Sequence, residues 1–134
     1  MNITEFLLLE KRIAQITNSI EVTFSFDIIK KYHAEKRKDF DKRGLDVETY
    51  GRISNREMSE FVSRFKDDIA ENIALGNIED ETNFVIKSES WQMAMAIVAS
   101  HVHGSYWKLI IKTVFRETKE EKFRVAKDQL VFEK

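Results

Sequence analysis

The hydrophobic period of this chain changes once, and that change restricts its fold more than any motif does. In the long stripes before Gly76 apolar residues recur at intervals of three and four; from Asn83 onward they alternate or form short runs. The first spacing lines one stripe of a helix, and the second lines faces of a strand. Helices followed by a sheet make an α+β domain.

Two stripes carry the helical half. Phe6, Leu9, Ile13, Ile16 and Ile20 form the first, with Asn2 or Thr4 available as its cap. Met58, Phe61, Phe65, Ile69 and Ile73 form the second, a long helix that starts at the Ser54/Glu57 capping box and ends at Gly76. Between them "IEVTFSF" (20–26) alternates and suits a short strand or an extended link. A further helix is predicted from Asp27 to Arg43, closing at Gly44.

"NFVIKS" (83–88), "WQMAMAIVA" (91–99), "YWKLIIKTVFRE" (106–117) and "KFRVAKDQLVFE" (122–133) read as strands. The short joins "HVHGS" and "TKEE" imply a four-stranded antiparallel meander with one face packed on the helices. The alternating Met and Ala of 91–100 also fit a helix. Trp107, Leu109, Ile111, Thr113 and Phe115 share one face of the third strand, and Tyr106, Lys108, Lys112 and Arg116 the other. In the last strand the apolar phase slips between Val125 and Leu130, which predicts a bulge near Lys127–Gln129.

Composition bounds the function. There is no cysteine, so disulfide frameworks and thiolate zinc sites are excluded. No proline and only four glycines leave nothing resembling a linker, so residues 1–134 are expected to form one domain. The start "MNITEFLLLEKR" lacks the pattern of a secretory signal, and no run is long enough to span a membrane. The expectation is a soluble, cytoplasmic protein without a membrane partner.

The net charge of −1 hides a strong local asymmetry. "KKYHAEKRKDFDKR" (30–43) holds seven basic and three acidic residues, +4, whereas 55–83 holds three basic and eight acidic, −5. The block either faces phosphates or exchanges ion pairs with the acidic segment. Within it His33 and Arg37 stand one helical turn apart. A histidine beside cations suits RNA cleavage without a metal, which needs an acid–base group and positive charge for the phosphorane. The plainer alternative is a hydrogen-bonded histidine at the core edge, between Ile29 and Phe40. Lys and Tyr on an open sheet face likewise suit either single-stranded RNA or ordinary solvation. His101 and His103 would share a face on a continuous strand and form a weak alternative metal pair, needing His33 or Glu117 as a third ligand.

Two stretches resemble the small RelE/RegB-like proteins of the barnase–EndoU–colicin–RelE nuclease fold. "YHAEKRKDFDKRGLD" is similar to their H-x-x-x-R…R-G signature, and "LIIKTVFRE" to their penultimate strand. The resemblance covers about a fifth of the chain. It implies a metal-independent endoribonuclease, a hydrolase found in toxins and phage mRNA-processing factors, with no cofactor. Carried over residue by residue, it marks His33, Arg37 and Arg43, then Lys112, Thr113 and Arg116. The expected catalytic set is His33, Arg37, Lys112 and Arg116, with Lys36, Arg43, Tyr106 and Lys108 holding RNA. The chain departs from the pattern in its long helical start and in a last strand, "RVAKDQLVFEK", without His or Tyr. The alternative is a non-catalytic phage or bacterial regulator whose partner is a host or antitoxin protein.

Overall fold

Among the described residues the sheet is mixed and five-stranded. A computed structural model describes residues 1–24, 55–117 and 124–134. Its strands are β1 (Glu21–Phe24), β2 (Asn83–Ser88), β3 (Met93–His103), β4 (Tyr106–Arg116) and β5 (Leu130–Glu133), and they lie in the sheet order β1-β4-β3-β2-β5. The helices are α1 (Ile3–Ser19), α2 (Asn55–Ser63) and α3 (Lys66–Ala74). The chain is thus α+β, but the antiparallel meander ends with β4. β1 pairs with β4 in parallel and occupies that edge, so β5 crosses to the far edge and pairs parallel with β2. Short turns predict antiparallel neighbours only for strands that are consecutive.

Local chemistry explains the element ends. Asn2 caps α1 through a reciprocal capping box with Glu5, the Glu5 amide donating to the Asn2 side chain at 2.8 Å. The stripe predicted as one long helix is broken at Arg64–Phe65, where the Phe65 amide donates to Val62 O in a tighter turn. Both pieces still bury it: Met58, Phe61, Phe65 and Ile69 are fully inaccessible. After α3, Gly76 takes φ +83° and Asn77 N–H reaches back to Asn72 O, closing the helix with the left-handed residue its last carbonyls need. Residues 91–100 are strand from Met93 onward, because β3 is paired on both sides. In place of the bulge predicted at Lys127–Gln129 there is a turn, with Gln129 N–H donating to Ala126 O.

The core lies between the helices and one face of the sheet. Phe24, Ile111, Ile97, Phe84 and Leu130 form one cross-strand row of that face. The other face is not open at its centre: Val85 and Ala94 are inaccessible and Val98 is buried. Small and branched residues on both faces are typical of interior strands. No described helix is long and apolar enough to cross a membrane.

Candidate functional site

Two bulges redistribute the residues singled out in the sequence. In β4, Thr113 pairs with Ala96 but Ile111 pairs with Ile97, so Lys112 is an extra residue. A one-residue insertion reverses every side chain beyond it. Trp107, Leu109 and Ile111 face the helices as predicted; beyond the bulge Val114 joins the core and Arg116 reaches α2, while Phe115 is only partly buried against the core cluster. Arg116 therefore leaves the face that holds Tyr106 and Lys108. Its guanidinium donates to both Glu57 oxygens of α2 at 3.0 Å. Lys112 stays exposed at the bulge.

The second bulge lies at Val102. His101 pairs with Trp107 and His103 with Tyr106, so the two histidines point to opposite faces. Rings confirm the pairing: His101 stacks on Trp107 at 4.5 Å and His103 on Tyr106 at 5.5 Å. An H-x-H metal pair is thereby lost. Glu117 does not join them either, for it is buried at the far end of β4 with Lys87 Nζ at 3.6 Å. Among the described residues no group of three or more ligand-type side chains can hold a metal ion.

The β3–β4 hairpin instead gathers polar chemistry at one pole. Its turn is Gly104–Ser105, and Gly104 takes φ +52°, a left-handed value that a two-residue hairpin requires. His101 Nε2 bonds Gly104 O at 2.9 Å, while the His101 amide donates to Asp80 Oδ1 at 2.8 Å. These contacts hold an exposed imidazole against the turn. On the other face the Tyr106 hydroxyl donates to Glu21 of β1. That hydrogen bond raises the Tyr106 pKa above its usual 10.0, and desolvation and the carboxylate charge add to the shift. Lys108 sits in register between Glu21 and Ser100.

A hollow of about 570 Å³ separates the second half of α1 from this turn, lined by Arg12, Gln15, Asn18, Ser19, Gly104 and Ser105. Every one of these presents a hydrogen-bonding group. Among the described residues no ion pair engages Arg12, Lys108 or Lys112. A neighbouring hollow of about 440 Å³ between α1 and α3 is lined by Glu10, Asp67 and Glu71 and disfavours anions.

Of the residues expected to act, Tyr106 and Lys108 lie together at the hairpin pole with His103, Lys112 lies further along the same strand, and Arg116 is apart. His33, Lys36, Arg37 and Arg43 lie outside the described residues. Arg12 and Glu21 are additions that periodicity does not single out, since only the fold brings α1 and β1 beside the turn. No family model, no curated protein and no solved structure matches the chain.

Proposed function

We propose that the chain binds single-stranded RNA at the β3–β4 pole and acts as a metal-independent endoribonuclease of the RelE/RegB-like kind. The observation that supports it most is the hairpin itself. One turn carries an exposed imidazole stacked on an aromatic ring on each face. Exposed rings offer stacking surfaces for bases. Lys108 and Lys112, without an ion pair among the described residues, offer charge for phosphates. Cleavage would need a base for the 2′-hydroxyl proton and an acid for the leaving 5′-oxygen, and His33, His103 and Glu21 are groups of the right type. Incubating the protein with a mixed RNA pool, with and without EDTA, and mapping the cut ends tests this. Cleavage that survives EDTA and falls roughly 100-fold in His33→Ala is expected. Intact RNA, together with no measurable binding, would sink the reading.

The second reading is a regulator that binds a protein. It is favoured by the first two turns of α1, where Ile3, Phe6, Leu7 and Leu8 are all half or more exposed. Grouped exposure of that kind marks interaction surfaces more often than isolated apolar residues do.

A further inference from the structure

We infer that the hollow between α1 and the β3–β4 turn is a nucleotide subsite, which takes one phosphate of single-stranded RNA on Arg12 and its base against His101. The inference rests on the RNA-binding reading and adds to it a place and a ligand class.

Three observations converge on the hollow. It is an open surface hollow of about 570 Å³, accessible to a passing strand rather than an enclosed pocket. Among the described residues its lining has no aliphatic or aromatic side chain, and every residue in it presents a donor or acceptor to a ligand. The formal charge in that lining is Arg12, whose planar fork suits phosphate and which has no acidic partner among the described residues.

The hairpin supplies the remaining element. Gly104 lines the hollow and its carbonyl bonds the His101 ring, so the imidazole is fixed at the rim. Trp107 covers one face of that ring, and His101 remains exposed. The opposite face is a platform for a base. The nearby Asp80 carboxylate is engaged by the His101 amide. Gln15 and Asn18 place amide groups in the same hollow, where ribose hydroxyls and base edges find both donors and acceptors.

The test is binding of a mixed-sequence single-stranded RNA oligonucleotide to the full chain across a salt series, with inorganic phosphate and nucleoside monophosphates as separate arms. Arg12→Gln should weaken RNA binding about tenfold and flatten the salt slope by about 0.7, the value for one lost phosphate contact. Asn18→Leu obstructs the hollow without removing charge, so it should weaken binding with the slope unchanged; Leu is the better helix former, so α1 persists. Arg56→Gln makes the same charge change at a remote site on α2 and should leave affinity within about twofold, as an exposed charge distant from the site does. Parent-like RNA binding by both Arg12→Gln and Asn18→Leu would overturn the subsite while RNA binding elsewhere stands. A parent that binds no RNA overturns both, and one that takes phosphate or mononucleotide alone overturns the assignment to RNA.

Discussion

Arg116 on β4 and Glu57 on α2 form a two-oxygen ion pair, both contacts at 3.0 Å, that ties the sheet to the helices. The arginine is 18% and the carboxylate 29% exposed, so the pair is largely shielded from solvent. Arg116→Ala removes both charged hydrogen bonds to Glu57 and should lower stability by about 2–3 kcal/mol, as losing a charged hydrogen-bonding partner does. A Glu57→Gln/Arg116→Ala double-mutant cycle measures the coupling in denaturant. Because Arg116 faces the helices, RNA affinity of the folded variant should match the parent; a large loss of affinity with unchanged stability would return Arg116 to the RNA face.

Phe65 stands at the break between α2 and α3, fully buried, with its ring edge-on to Phe61 at 5.3 Å. Phe65→Ala should cost roughly 3–5 kcal/mol, combining lost transfer energy and the cavity left behind. A denaturant titration showing less than about 1 kcal/mol would mean that the break is not packed as described.

Tyr106 gives a pH prediction. Its folded pKa is raised because the phenol donates to Glu21, so the protonated form is favoured by folding. That contribution is complete below the ordinary tyrosine value near 10 and disappears as pH rises through the higher folded one. Subtracting the tyrosinate absorbance titration of Tyr106→Phe from that of the parent isolates this group. Glu21→Gln should move it down towards the ordinary value, and no movement would show that the hydrogen bond is absent in solution.

Gly104 is at φ +52°, and a methyl group placed on its Cα would meet nothing within 4 Å, so space is available but the backbone disfavours a side chain. Gly104→Ala should destabilise by about 1–2 kcal/mol, the left-handed penalty for an L-residue. Gly104→Asn should cost less, since Asn visits that region more readily. Equal thermal melts for all three proteins would show that the hairpin relaxes to another turn.

Periodicity alone locates α1, the buried stripe from Met58 to Ile73 and the strands β2 and β4, because amphipathic spacing is a local property of consecutive residues. It also offers Asn2 or Thr4 as a cap, between which the structure selects Asn2, and Gly76 as a stop. It does not reveal the helix break at Phe65, since residues on both sides bury the same stripe. Nor does it reveal that Arg116 faces Glu57, or that His101 and His103 point apart. Both reversals come from single extra residues, Lys112 and Val102, whose presence depends on how β4 pairs with β3. Register is a relation between strands, and one slipped residue exchanges every face beyond it. The same holds for the hairpin pole: Arg12 and Glu21 are unremarked in the chain and acquire meaning only where α1 and β1 pack beside the turn at Gly104. Which residues are apolar and how they are spaced is written locally; which of them meet is decided by long-range pairing.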